Sequence, residues 1–283
     1  MLLYLLFIVS CGERSDTYDE IKQSLSFYAS FDESFKADYA LGDPDLYTAP
    51  HWDQRKNVEI YTDQDKYLQI HKGEGRYKNA LWIDSQHDPV FFYKGRSNIT
   101  YNRQNWSGTI SFWIRLHPDE ELHNGYSDPI QLTSRTWNDG SIFVDFTDEE
   151  PRDFRFAVFA DRNVWDSEER EWDEVPIDER PMVELLNNPF STNEWTHVAM
   201  AFSNFNTGSN DGIVYCYING QNAGILEGHE QTITWDPEEV AIWFGYNFRG
   251  YFDEVSIYNR DLTGNEISQI YSLENGIGDL LDP

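Results

Sequence analysis

The chain has 283 residues, of which 50 are Asp or Glu and 21 are Lys or Arg, so its formal net charge is −29. This charge excludes a nucleic-acid-binding protein, because phosphate backbones are held by clusters of Lys and Arg. Aromatic residues make up 16% of the sequence, too high an apolar content for a disordered acidic chain. We therefore expect one folded domain, since all-β domains commonly reach roughly 200–250 residues.

The N-terminus resembles the signal peptide of a bacterial lipoprotein. Residues 2–9 read LLYLLFIV, an apolar run far shorter than the roughly 20 residues that span a bilayer as a helix. The run ends in Ile8-Val9-Ser10-Cys11, which is similar to the lipobox, where the Cys is lipidated and becomes the new N-terminus. A buried N-terminal strand is the alternative, but the polar residues directly after Cys11 disfavour it.

The lipobox motif predicts two segments before the folded domain. Residues 1–10 are the signal peptide, and residues 11–24 comprise the lipidated Cys11 and a polar tether. Acyl chains on Cys11 would hold the protein at a membrane while the rest stays in water. We expect a bacterial membrane lipoprotein, in the outer membrane or at the cell surface, whose domain faces the periplasm or the exterior.

The region that follows alternates apolar and polar residues in many short segments. Residues 110–116 read ISFWIRL, which places every second residue on one face, as in a half-buried strand. The same pattern recurs at residues 142–146, 154–160, 197–203 and 213–218, all rich in β-branched and aromatic residues.

Two dipeptides predict turns between these strands. Asn219-Gly220 is the stronger hairpin signal, because a type I′ turn needs positive φ at both central residues. Asp139-Gly140 is a weaker one. Helices of 10–15 residues do not alternate with the strands, so the pattern indicates a two-sheet antiparallel sandwich rather than a parallel α/β fold.

An acidic segment at residues 161–190 interrupts the strand pattern. From Trp165 to Arg180 there are eight acidic and two basic residues, and Pro176 and Pro181 disfavour regular structure. Insertions of this length are usually lids, binding loops or disordered segments.

One short C-terminal helix is predicted by a capping box. Thr263 and Glu266 have the spacing at which each side chain caps a backbone N–H of the first turn. Ile267 and Ile270 then form an apolar stripe that can pack on a sheet.

Cys216 lies in a predicted strand, where we expect a buried structural thiol.

The C-terminal third resembles a known family. The strings EWTHVAMAF, IVYCYINGQNAGIL and WFGYNFRGYFDEVSIYNRDLTGNEISQIY occur in order between residues 194 and 271. They are similar to the laminin G-like branch of the concanavalin A-like lectin and glucanase superfamily. This resemblance implies an all-β jelly roll of two antiparallel sheets over residues 25–280, with the acidic segment as an insertion.

The resemblance also implies a structural calcium site. Family members often bind calcium through an acid near the closing strand, together with oxygens of the opening strand. The matching residues are Asp253 and Asp32.

Enzymes of the same superfamily have recognisable signatures, which this sequence lacks. The glucanase pattern E-x-D-x-x-E is approached at Glu171 and Asp173, but Pro176 stands where the second Glu is needed. Gln69-Ile70-His71 is similar to a motif of alginate lyases, but the Arg- and Glu-bearing strand that accompanies it is missing. We therefore predict a protein that is not an enzyme.

The function that we expect is a lectin-like carbohydrate-binding module. Sugars are bound by aromatic rings that stack on C–H faces and by a few polar groups that fix the hydroxyls. Two loops carry both kinds of side chain, and the candidate ligand-binding residues are Arg135, Trp137, Asn138, Asp139, Trp165 and Trp172.

Two alternatives stay open. One is a protein-interaction or adhesion domain, since laminin G-like domains often bind proteins. The other is a glycoside hydrolase or polysaccharide lyase with an atypical site. A cavity with converging polar groups favours a sugar ligand, whereas a flat apolar patch favours a protein partner.

Overall fold

The computed structural model describes residues 11–54 and 58–281. The predicted signal peptide at residues 1–10 lies outside the described residues. Within the described part, no helix is both long and apolar enough to cross a membrane.

One of the two sheets has nine strands and contains both ends of the folded domain. Seven of its strands follow the order β15-β14-β13-β8-β17-β1-β2. The other two are β6, which pairs with one end of β17, and β5, which pairs with β6. The strands are β1 Leu25–Ala29, β2 Tyr39–Ala40, β5 Leu68–His71, β6 Ala80–Asp84, β8 Trp106–Arg115, β13 Thr196–Phe205, β14 Gly212–Ile218, β15 Gln221–His229 and β17 Arg249–Tyr258.

The other sheet has eight strands, in the order β12-β11-β10-β9-β16-β7-β3-β4. They are β3 Leu46–Ala49, β4 Glu59–Ile60, β7 Val90–Lys94, β9 Ser127–Thr133, β10 Ser141–Phe146, β11 Phe154–Phe159, β12 Met182–Leu185 and β16 Ala241–Tyr246. All pairings in both sheets are antiparallel, so the predicted two-sheet all-β fold is confirmed.

The main core lies between the two sheets. Alternation along β8 sends Ile110, Phe112 and Ile114 into it, opposite Val144 of β10. The predicted strands are present with small changes in their ends, and Cys216 is buried in the same core, as expected.

The two predicted turns differ in the structure. Asn219 has φ 50° and Gly220 has φ 73°, as a type I′ hairpin between β14 and β15 requires. Asp139-Gly140 belongs instead to a longer connection from β9 to β10, in which Gly140, with φ 62°, has positive φ and Asp139 does not.

The predicted capping box begins helix α4, Gly264–Tyr271. The Thr263 Oγ1 atom accepts a hydrogen bond from the Glu266 amide, and the Glu266 carboxylate accepts one from the Thr263 amide. Ile267 and Ile270 pack on the outer face of the nine-stranded sheet, against residues such as Ala199 of β13.

Four other helices in the part of the chain that the structure describes are short or peripheral: α1 Cys11–Ser24, α2 Pro118–Glu121, α3 Arg162–Trp165 and α5 Gly278–Leu281. The range predicted as a polar tether is therefore helical. Ile21 of α1 is fully buried, in the same cluster as Leu280 of α5.

The acidic insertion is more ordered than its prolines suggest. It contains α3, two 3-10 turns at Trp172–Glu174 and Ile177–Glu179, and strand β12, which pairs with β11. The expectation that this segment lacks regular structure is wrong for β12, because Pro181 lies just before the strand. Its missing N–H therefore interrupts no pairing, and its carbonyl accepts the amide of Val158.

Candidate ligand-binding site

A cavity of about 300 Å³ lies on the outer face of the eight-stranded sheet. Its floor consists of side chains from four adjacent strands, β9, β10, β11 and β16. Strand alternation turns them away from the core, because their neighbours in sequence point inward. The floor residues are Asp128, Gln131, Asp145, Arg155 and Trp243.

Asp128 reaches the floor through an irregularity in strand pairing. Val144 of β10 pairs with Ile130 of β9, but Phe146 pairs with Ser127, so two residues of β9 lie opposite Asp145. Such a β-bulge redirects the side chains beside it. It places the Asp128 carboxyl group on the outer face of the sheet, beside Asp145.

The walls of the cavity are aromatic. Four large aromatic side chains are exposed in the described part of the chain, with exposed fractions between 36% and 44%, and all four line the cavity. They are Trp52, Tyr126, Trp137 and Tyr246. The half-buried Trp172 of the acidic insertion joins them, with its ring edge-to-face with Trp137 at 5.2 Å.

The two acids of the floor differ in their environment. Arg155 donates from Nε to Asp145 Oδ1 at 2.9 Å and from Nη2 to Asp145 Oδ2, and both side chains are buried. Burial raises the pKa of Asp145 from its ordinary value, but the paired guanidinium opposes this shift.

For Asp128, burial and then the charge of Asp145 raise the pKa well above its ordinary value. A carboxyl group in this position keeps its proton over a wider pH range than a surface acid does. The floor therefore combines an ion pair with a carboxyl group that can both donate and accept hydrogen bonds.

A network of ion pairs fixes the β9–β10 loop that carries Trp137. Arg135 donates from Nη1 to Asp139 at 2.7 Å and from Nη2 to Asp161 at 2.9 Å. Trp165 donates from Nε1 to the carbonyl of Asn138 at 2.8 Å. The exposed Trp137 ring is thus held in place by contacts on the far side of its loop.

Residues 92–268 match the laminin G model of the concanavalin A-like lectin/glucanases superfamily, and this span is more than half of the chain. The chain belongs to this superfamily. No curated protein sequence matches it.

Solved structures with the same architecture include both sugar- and protein-binding domains. Domain 4 of AbnA, a GH43 extracellular arabinanase from Geobacillus stearothermophilus solved with arabinotriose, is 14% identical, with a TM-score of 0.50. The alignment covers 87% of this chain and 97% of that domain.

Two toxin binding domains are also similar. That of botulinum neurotoxin DC, solved with rat synaptotagmin II, is 13% identical with a TM-score of 0.58, and that of Paraclostridial Mosquitocidal Protein 1 is 17% identical with a TM-score of 0.54. The alignment covers 89% of this chain but only 52% of each toxin chain. At such identities these likenesses establish the fold alone.

Membership in the superfamily confirms the predicted jelly roll, but it does not decide between an enzyme and a binding module, because the fold serves both.

The structure divides the six predicted ligand-binding residues into two groups. Three line the cavity: Arg135, Trp137 and Trp172. The other three, Asn138, Asp139 and Trp165, lie behind it and hold the loops.

The sequence patterns did not predict most of the cavity floor. A signal existed for two residues, because Asp145 in IFVDF and Arg155 in FRFAVF are charged residues in otherwise apolar strands. Their phase places them opposite the core. Asp128, Tyr126 and Tyr246 had no comparable signal.

The acids predicted to bind calcium have other partners in the structure. Asp32 accepts hydrogen bonds from the Asn79 amide at 3.1 Å and from Lys78 Nζ at 2.9 Å, and Asp253 accepts one from the Tyr77 amide at 3.0 Å. Among residues 11–54 and 58–281, no group of three or more His, Cys, Asp or Glu could hold a metal ion. Calcium takes about six to eight oxygen ligands. Two carboxylates alone do not complete such a set, although the Asp253 Oδ1 atom is buried without a hydrogen-bond partner among the described residues. Calcium stays an untested prediction from the resemblance.

Proposed function

We propose that this protein is a non-catalytic carbohydrate-binding module whose ligand lies in the cavity on the eight-stranded sheet. The observation that carries the proposal is the convergence of the four exposed aromatic side chains on that one cavity. Exposed rings around a polar floor are the arrangement that binds sugars, whose C–H faces stack on rings while their hydroxyls form hydrogen bonds.

The polar floor favours a sugar over a protein partner. A protein-binding patch is typically flat and apolar, with its polar groups at the rim. Here Asp128, Gln131 and Arg155 line the cavity together with its aromatic rings. A ligand with many hydroxyl groups can form hydrogen bonds with these polar side chains. The arabinotriose complex of domain 4 of AbnA gives this proposal indirect support, since that domain has the same fold.

The carboxyl groups of the floor favour binding over hydrolysis. Glycosidases use two carboxyl groups, one as the acid and one as the base or nucleophile. Both oxygens of Asp145 accept hydrogen bonds from Arg155, which leaves Asp128 as the one unengaged acid among the described residues that line the cavity. A single acid does not complete either hydrolytic mechanism.

The proposal is tested by a glycan array, followed by calorimetric titration of each oligosaccharide that binds. We expect Trp137→Ala to weaken binding at least about tenfold, which corresponds to about 1.4 kcal/mol. Trp82→Ala is the matched control, because Trp82 is a half-buried Trp on the outer face of the other sheet.

Equal binding by Trp137→Ala and the wild type would reject this cavity as the site. Release of new reducing ends from a bound glycan would reject the non-catalytic assignment.

We also infer that lipidated Cys11 attaches the module to a bacterial membrane. The support is the apolar run at residues 2–9 followed by a Cys, and acyl chains would add the anchoring energy. In a bacterial host, the wild type should partition into a detergent phase and Cys11→Ser should not. Equal partitioning of both would contradict lipidation.

A further inference from the structure

The positive charge of the cavity is paired with the protein's own carboxylates. Two basic residues, Arg135 and Arg155, are among the described residues that line it. Arg135 is paired with Asp139 and Asp161, outside the floor. Arg155 is paired with Asp145, inside it. Each guanidinium is thus neutralised by the protein's own carboxylates.

The pair in the floor is the one that a ligand would meet. The Arg155 guanidinium lies over the ring of Tyr126, 4.9 Å from its centre, so it faces an aromatic wall of the cavity. A free Arg in this place would bind the carboxylate of an acidic sugar, because guanidinium groups form paired hydrogen bonds with carboxylates. Asp145 occupies that position instead.

The remaining acid works in the same direction. Asp128 lies beside the pair, and no hydrogen bond joins its carboxyl group to another side chain among residues 11–54 and 58–281. A ligand carboxylate would be placed against two protein carboxyl groups, and the one cation of the floor, Arg155, is already paired with Asp145. A ligand hydroxyl, in contrast, can both donate to and accept from the Asp128 carboxyl group.

We propose that Asp145 is a specificity-determining residue, which sequesters Arg155 and so makes the cavity select uncharged glycans over glycans that contain uronic acids. This inference rests on the proposed function, since it concerns the ligand class of the same cavity. The selectivity arises because binding of an acidic glycan is weakened: the cavity offers its carboxylate no free partner.

The inference is tested by calorimetry with uncharged and anionic probes of equal length. The uncharged probes are arabinotriose, xylotriose and cellotriose, and the anionic probe is trigalacturonate. We expect the wild type to bind the best uncharged probe at least about tenfold more tightly than trigalacturonate.

The decisive variant is Asp145→Asn, which keeps the shape of the side chain but frees the charge of Arg155. We expect its affinity for trigalacturonate to rise at least about tenfold over the wild type. The gain should shrink at high salt, because it depends on an ion pair. Asp128→Asn is the matched control, since it changes the neighbouring acid in the same way and frees no cation.

The outcomes separate the inference from the function. Trigalacturonate binding by the wild type as tight as that of the uncharged probes overturns the inference but leaves a glycan-binding module standing. This comparison needs no variant, so it holds even if Asp145→Asn fails to fold. A folded Asp145→Asn without a gain, or an equal gain in Asp128→Asn, also overturns the inference. Absence of binding to all probes by the wild type and both variants overturns the inference, whereas the proposed function is overturned only if the glycan array also shows no binding.

Discussion

The outer faces of the two sheets are built by the same strand alternation but are used differently. On the nine-stranded sheet, one end of the outer face is covered by α4 and α5. At its other end, Arg115 lies over the rings of Trp195 and Tyr251 and forms an ion pair with Glu74. On the eight-stranded sheet, the outer face carries the cavity.

The difference lies in where polar groups find their partners. On the covered face, two histidine rings have partners within the protein: the His197 ring hydrogen-bonds with Ser111 at 2.8 Å, and the His71 ring with Tyr251 at 3.0 Å. On the open face, Asp128 and the exposed aromatic rings line the cavity, where a ligand can contact them. Substitutions on the covered face should therefore change stability, and substitutions on the open face should change binding.

The largest effect is expected from the helix that covers the nine-stranded sheet. Ile267 of α4 is fully buried against residues of that sheet, so Ile267→Ala should lower the free energy of unfolding by about 2–5 kcal/mol. Urea unfolding measures this loss, and glycan affinity should not change at temperatures where the variant is folded.

The control for this prediction is Ile177→Ala, because the Ile177 side chain is 77% exposed. Its free energy of unfolding should stay within about 0.5 kcal/mol of the wild type. If Ile267→Ala weakened glycan binding as strongly as Trp137→Ala does, the separation of the two faces would be wrong.

A second prediction concerns the acid sensitivity of the covered face. Burial lowers the pKa of His197 from 6.5 to about 3. The folded protein thus favours the neutral ring, and this contribution to stability is present above pH 6.5 and is lost as the pH falls toward 3. Since one pKa unit corresponds to about 1.4 kcal/mol, the loss reaches several kcal/mol near pH 3.

Urea unfolding at about pH 7 and pH 4 measures this effect. His197→Gln should lose less stability over this range than the wild type does, because its side chain takes up no proton. His87→Gln, at an exposed position, should follow the wild type. A wild-type pH dependence in His197→Gln would assign the acid sensitivity to other groups.

Local sequence patterns were sufficient to predict the strands, the C-terminal helix and one hairpin turn. The strand alternation, the capping box at Thr263 and the Asn219-Gly220 turn each depend on residues close in sequence. The structure reproduces all three. The helical state of residues 11–24 was not predicted, because the buried position of Ile21 depends on a helix at the other end of the chain.

The cavity, in contrast, depends on distant parts of the chain. Its walls bring Trp52 together with Trp137 and Tyr246, and no local pattern indicates that these rings meet. The bulge that turns Asp128 outward is a property of the pairing between β9 and β10, and so is not visible in either strand alone. The loop residues were recognised as a group, but their orientation depends on Asp161, 26 residues from Arg135.

The smallest expected effect separates the residues that line the cavity from those that support it. Trp165 packs on Phe159 with ring centres 4.9 Å apart and donates to the Asn138 carbonyl, so it supports the loop of Trp137 from behind. Trp165→Phe keeps a ring on Phe159 but removes a hydrogen bond worth about 1 kcal/mol. It should therefore weaken glycan binding by no more than about fivefold, less than Trp137→Ala does, as calorimetry with the same oligosaccharide will measure. A loss as large as that of Trp137→Ala would mean that Trp165 contacts the ligand directly, and the open face would then extend further into the acidic insertion.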